Sequence, residues 1–196
     1  FDETSVEKVV EMDFDILKIA SCSADDWPLL EKAALTGLPM IVSTGGLNIN
    51  QIDNLVSFFE HKGVTFSLMH CVSIYPMNEE NAQLSFILKL KNRYPNTTIG
   101  WSTHENPDNY SIIKMAYSCG ARMYERHVGI ENDIYTLNKY SSTPKQIDMW
   151  IKEQIRSKKI FGDGEKQIQN SEIQDLISLK RGVYLKRNIK KGNKIT

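Results

Sequence analysis

The sequence is short of cysteine, holds no long apolar run and carries no surplus of charge. Its three cysteines, Cys22, Cys71 and Cys119, are odd in number, far apart, and set in or beside apolar segments. That usage argues against a disulfide framework and fits reduced, buried thiols, so a cytoplasmic location is expected. No segment reaches the roughly 20 consecutive apolar residues that span a bilayer, and no signal peptide opens the chain. Lys plus Arg (24) balances Asp plus Glu (24), so no nucleic-acid or anionic-membrane footprint is expected. A basic cluster near the end, Lys186, Arg187, Lys190, Lys191 and Lys194, reads as a solvated hairpin surface. The chain opens on Phe1-Asp2-Glu3 instead of Met, which reads as the middle of a longer protein.

What is present is a repeating unit. Short runs rich in β-branched or aromatic residues occur at 14–20, 40–43, 65–70, 98–102 and 122–126. Helix-period stretches lie between them at 27–35, 50–61, 82–94 and 107–119, and another opens at Thr143-Pro144. The order is β-α repeated five times, with strands roughly 25–30 residues apart, the spacing of right-handed βαβ units. A doubly wound open sheet and part of a (β/α)₈ barrel both fit this order. Polar residues stand at the C-terminal end of every strand: Lys18 and Ser21, Ser43 and Thr44, His70 and Ser73, Ser102 and His104, Glu125 and His127. Many strand ends converging on one site is the barrel pattern, whereas an open sheet gathers its ligand groups at one switch point. The expected fold is therefore α/β, a (β/α)₈ TIM barrel of which five units are present. The barrel part is expected over 1–160, and a linker and helix over 161–180. The beginning of a small β-rich domain is expected over 181–196, with a strand at Gly182–Leu185 followed by a turn.

Chemistry enters at the strand ends. His104 and His127 follow neighbouring strands, so both rings can face one point, and a two-histidine set suits Mn²⁺, Zn²⁺ or Fe²⁺. Each could equally be an isolated loop residue. His70, between Met69 and Cys71, reads as a packed histidine, and His61 as a C-terminal helix residue favoured by the dipole. Lys18 is a lone cation inside an apolar strand and should face a counter-charge. One strand-end serine is most simply a cap or turn residue. Ser21, Ser43, Ser73 and Ser102, taken with Lys18 and the Gly45-Gly46 turn, suggest a phosphorylated ligand.

These residues resemble the sialic acid synthase family. The matching motifs are Leu17-Lys18-Ile19-Ala20-Ser21, Ile41-Val42-Ser43-Thr44-Gly45, His70-Cys71-Val72-Ser73-Ile74-Tyr75-Pro76, Gly100-Trp101-Ser102-Thr103-His104 and Glu125-Arg126-His127. The resemblance runs from Phe1 to about Phe161, and Lys180 onward resembles the start of that family's antifreeze-like domain. It implies condensation of phosphoenolpyruvate with an N-acyl amino-sugar aldehyde, giving a sialic-acid-like nonulosonic acid and phosphate. It assigns a divalent metal, Mn²⁺ before Mg²⁺ or Co²⁺, to His104 and His127. Lys18, Ser21, Ser43, Ser73 and Ser102 would hold phosphoenolpyruvate, with Glu125 beside the reacting enolpyruvate. Tyr75 and Asn138 would meet the sugar. A homodimer is also implied.

The match has departures. The family's early strands, which supply a metal-side Glu and a phosphoenolpyruvate-side Lys, are absent. Thr103 replaces the usual Asp before His104. Tyr135-Thr136-Leu137-Asn138 replaces a Pro-Gly-Pro-Asp stretch, so Asn138 falls where an Asp would contact the sugar. If the loop from Glu131 to Ser142 is realigned, Lys139 or Tyr140 meets the sugar and Asn138 makes a turn. A related phosphoenolpyruvate-aldehyde condensing barrel with another acceptor and an inactive fragment or binding module are the alternative readings.

Overall fold

The computed structural model describes residues 2–194. The chain divides into two compact units, Phe1–Phe161 and Gly162–Thr196. The first runs α1 (Glu3–Glu11), β1 (Leu17–Ile19), α2 (Trp27–Ala34), β2 (Met40–Ser43), α3 (Ile49–Lys62) and β3 (Phe66–Cys71). It continues with α4 (Ser85–Arg93), β4 (Thr98–Thr103), α5 (Ser111–Ser118), β5 (Met123–Arg126) and α6 (Pro144–Phe161). The five strands form one parallel sheet in chain order.

The period of two along each strand sorts side chains onto two faces. Leu17, Ile19, Met40, Val42, Leu68, Ile99 and Trp101 share one face and are buried beneath the helices. The opposite face carries Lys18, Ser43, Met69, Gly100, Ser102 and Glu125 in matching register. This second face is concave. Lys18 of β1 and Glu125 of β5 lie 3.4 Å apart, although β1 and β5 are the outer strands of the sheet. Four interstrand spacings in a flat sheet come to roughly 19 Å, more than the two side chains together can span. The sheet is therefore rolled into half of a barrel, which decides against the open doubly wound alternative.

Gly100 sits on the inner face. A Cβ there would collide with Met69 Sδ and come within 2.8 Å of the Met123 carbonyl oxygen, so the inner layer closes over the missing side chain. Local signals set the element ends. Asn48 and Gln51 form a reciprocal capping box at the start of α3, and Gly63, in the left-handed region at φ 67°, ends it. Arg93 and Tyr94 at the end of α4 both donate to the Asp53 carboxylate of α3, tying the two helices together.

The structure adds or moves several elements. Helix α1 carries no entry in the sequence reading. It is capped by Asp2, which accepts from the Ser5 N–H at 2.7 Å, and only Val6 is fully buried, too thin an apolar stripe to announce itself. Helix α5 begins at Ser111 and not at Pro107. Asn106 and Asn109 accept from the backbone N–H groups of Asp108 and Ser111, and these local turns win over the first helical turn.

In the second unit α7 (Asn170–Leu179) forms over the expected residues. The strand expected at Gly182–Leu185 does not form among the described residues, and Val183, Tyr184 and Leu185 are exposed. A strand exists by pairing, and among the described residues no partner receives these backbone groups. A turn does form at Lys191–Gly192, with Asn193 N–H donating to Lys190. The last two residues of the expected β-rich domain lie outside the described residues. No helix among the described residues is long and apolar enough to cross a membrane.

Candidate active site

Three groups of side chains stand at the C-terminal ends of the strands. In the first, Lys18 Nζ donates to Ser43 Oγ at 2.8 Å and to the Ile19 carbonyl at 3.1 Å. It also faces Glu125 Oε2 at 3.4 Å, so the lone strand cation has its counter-charge. Ser102 Oγ donates to the other oxygen of Glu125 at 2.8 Å. Four candidate residues from β1, β2, β4 and β5 thus share one network. Lys18 and Glu125 are each about one-third to two-fifths exposed, leaving the pair open to an incoming ligand.

The second group surrounds Gly45. Ser21 Oγ accepts the Gly45 N–H at 3.0 Å. A Cβ at Gly45 would lie 2.7 Å from Ser21 Oγ and would strike Ser73 Oγ. Hydroxyls from the ends of β1 and β3 therefore converge on a backbone that only glycine leaves bare. With Ser21 Oγ accepting from Gly45, the O–H groups of Ser21 and Ser73 are left to donate, which suits a phosphate or carboxylate.

The third group is aromatic. The His104 and His127 ring centroids are 5.3 Å apart. His104 is buried and His127 exposed. His104 Nδ1 lies 3.1 Å from the Val72 carbonyl, which can only accept, so Nδ1 carries the proton and Nε2 keeps its lone pair. Burial holds this imidazole below its usual range, against the pull of that carbonyl. A neutral ring with one nitrogen anchored on a carbonyl is the state that ligates a metal. The donor set thus fits two positions of a divalent cation site. Among the described residues no group of three or more His, Cys, Asp or Glu side chains is arranged to hold an ion. Tyr75 packs against His104 with ring centroids 4.2 Å apart and planes inclined at 55°, and Tyr140 meets His127 at 5.1 Å and Tyr75 at 5.4 Å.

Asn138 is committed to its own turn. Its side-chain oxygen accepts from the N–H groups of Tyr140 (3.2 Å) and Ser141 (2.8 Å). That turn precedes Tyr140, whose ring meets both histidines. Behind the histidines lies a pair that sequence reasoning missed. Arg126 donates to Glu105 Oε1 at 2.6 Å, with both side chains essentially fully buried. Burial pushes the Glu105 carboxyl up, against the attraction of Arg126. The only sequence signal was an acid directly after one candidate histidine and a base directly before the other. His70 is a packed histidine, buried against Phe86 and Trp101 with Nε2 donating to the Ala82 carbonyl at 2.9 Å.

Five consecutive βα units with polar residues at the C-terminal strand ends define part of a (β/α)-barrel. The chain belongs to the NeuB family, whose model matches residues 1–166. It is 37% identical over 131 residues to N-acetylneuraminate-9-phosphate synthase of Drosophila melanogaster, covering 66% of this chain and 35% of that protein. A Chromobacterium violaceum structure assigned to spore coat polysaccharide biosynthesis superposes with TM-score 0.87 at 41% identity, over 93% of this chain and 55% of that one. The N-acetylneuraminic acid synthetase of Leptospira borgpetersenii, solved with citrate, gives 0.81 at 36% identity, over 91% and 62%. An N,N'-diacetyllegionaminic acid synthase of Campylobacter jejuni is similar at 27% identity, over 98% of this chain and 58% of that protein. The chain spans between about a third and just over half the length of the curated relatives it matches.

Proposed function

We propose that the protein containing this chain condenses phosphoenolpyruvate with an N-acyl amino-sugar aldehyde, yielding a nonulosonic acid and phosphate. The observation that carries this reading is the joining of Lys18, Ser43, Ser102 and Glu125 from four strands into one network beside the His104–His127 pair. Lys18 and the strand-end hydroxyls donate to the phosphate, with the Ser21 and Ser73 hydroxyls beside Gly45 forming a second donor-lined wall. Holding both reactants in one mouth lowers the entropic part of the barrier.

The methylene carbon of the enolpyruvate attacks the aldehyde carbon, forming the new C–C bond. Positive charge then develops at C2, where the Glu125 carboxylate, oriented by Ser102 and Lys18, favours it electrostatically. Water adds at C2, the aldehyde oxygen takes up a proton, and phosphate leaves by cleavage of its C–O bond. His104 and His127 would hold a divalent ion, which when bound supplies Lewis-acid polarisation of the aldehyde oxygen. Tyr75 and Tyr140 offer ring faces to the sugar.

The test is phosphate release by the product of the complete reading frame, incubated with Mn²⁺, phosphoenolpyruvate and a panel of N-acyl amino sugars. Release that requires both substrates supports the reading. Release only with aldoses lacking the N-acyl group assigns a related condensing reaction instead. No release with any aldehyde rejects the proposal.

A further inference from the structure

We propose that Arg126 and Glu105 form a buried positioning pair that sets the spacing of His104 and His127 as nitrogen donors to a divalent cation. The inference rests on the reading of those two histidines given above.

The pair lies outside the ligand mouth. Arg126 occupies the helix-facing side of β5, its guanidinium 5.9 Å from the Trp150 ring of α6, and Tyr124 on the same side also meets Trp150. Every other ion pair among the described residues has at least one side chain two-fifths or more exposed, whereas this one is buried on both sides. Removing two charges from water costs several kcal/mol per ion, and well-packed apolar residues often serve stability as well or better. Here Glu105 Oε2 also has no hydrogen-bond partner among the described residues. Stability alone therefore gives no reason for this pair.

Its connections give one. Glu105 directly follows His104, and Arg126 directly precedes His127. The guanidinium donates to the Glu105 carboxylate at 2.6 Å, to the Glu105 main-chain oxygen at 2.9 Å, and to Ser142 Oγ. The Ser142 N–H in turn donates to the His127 carbonyl at 2.9 Å. One planar, rigid donor thus joins the backbone beside His104 to the residue that holds His127. On its other side His104 is fixed by the Met77 N–H to its carbonyl and by Val72 to its ring. Interactions behind metal ligands fix ligand orientation, and their loss typically costs 10–100-fold in affinity.

The experiment uses the product of the complete reading frame and MnCl₂ alone, with affinity read by titration calorimetry and folding by thermal melting. In the double variant Glu105→Met/Arg126→Met the buried charges are replaced by apolar side chains. It should melt within a few degrees of wild type yet bind Mn²⁺ about 10–100-fold more weakly. Wild-type affinity in that variant overturns the inference. Should the double variant fail to fold, Arg126→Lys decides: it keeps the charge beside Glu105 but cannot hold the Glu105 carboxylate, the Glu105 main chain and Ser142 together, and unchanged Mn²⁺ affinity overturns the inference. His104→Ala separates the two levels. If His104→Ala abolishes binding while the Arg126 and Glu105 variants leave it intact, only the positioning role fails. If His104→Ala leaves binding intact, or wild type does not bind Mn²⁺, the histidine reading fails and the positioning role with it.

Discussion

Lys18 and Glu125, carried by the two outer strands of a five-stranded parallel sheet, meet 3.4 Å apart across its concave face. The contact balances the two charges, and an anionic ligand must compete with Glu125 for Lys18 and with the same carboxylate for the Ser102 hydroxyl. Replacing Lys18 with Met removes the cation while keeping a long side chain. A hydrogen bond to a charged group contributes about 1.5–3 kcal/mol, so KM for phosphoenolpyruvate should rise about 10- to 100-fold. Steady-state kinetics on the full-length protein check this, and an unchanged KM would place the phosphate elsewhere.

Gly45 offers a steric test that leaves charge alone. In Gly45→Ala the new methyl group would strike Ser73 Oγ and crowd Ser21 Oγ. Both hydroxyls must turn away, so phosphoenolpyruvate binding should weaken at least about tenfold if two hydrogen bonds are lost. The site is at the end of β2 and not in the apolar layer, so the melting temperature should move little. A large fall in melting temperature with normal binding would make Gly45 a packing residue.

The loop to Tyr140 separates turn from ligand contact. Asn138→Asp keeps an oxygen acceptor for the Tyr140 and Ser141 N–H groups, so kcat/KM for amino sugars should stay within about twofold of wild type. Tyr140→Ala removes the ring beside His127 and should raise KM for the sugar about three- to tenfold, with KM for phosphoenolpyruvate unchanged. A shift in sugar preference with Asn138→Asp, and none with Tyr140→Ala, would return the contact to Asn138.

His70 predicts a pH dependence of stability. Burial lowers its value from the ordinary 6.5, outweighing the hydrogen bond to Ala82. The unfolded chain therefore takes up a proton before the native state does. The stability linked to this group is complete above 6.5 and is lost as pH falls through the depressed native value. His104 acts with the same sign. Melting temperature should fall on acidification from neutrality, and His70→Gln should flatten part of that fall while lowering stability at neutral pH. An unchanged slope would mean that His70 is already charged in the native state.

The repeating apolar runs made the strands and most helices legible, because parallel strands buried on one face by helices leave continuous apolar segments. Met40–Ser43 and Asn170–Leu179 fall where the sequence places them. What failed were pieces whose stability lies outside local pattern. Gly182–Leu185 has β-forming residues but no neighbour to pair with, and α1 has a cap but little apolar stripe. At the site, residue type and strand-end position marked Lys18, the serines and the histidines. The need of Lys18 for a counter-charge was also readable, though not that Glu125 would meet it. Glu105 stayed invisible because burial, and not residue type, is what sets it apart. Of the two readings of Asn138, the turn is the one its side-chain oxygen makes, accepting from backbone N–H groups two and three residues further on.

Gly100 lies partway along β4 on the inner face, between the two strands that carry Lys18 and Glu125. In a rolled wall the inner surface has a shorter circumference than the outer, and side chains there compete for arc length. At Gly100 the wall gives up a side chain altogether, and Met69 and Met123 close over the gap. A valine at that position would act as a wedge, opening the curve between β3 and β5. The strain would register at the far ends of the arc, where a small change of angle is multiplied into the largest displacement. Lys18 and Glu125 sit at those ends, so Gly100→Val should part them, although Gly100 contributes no atom to their contact.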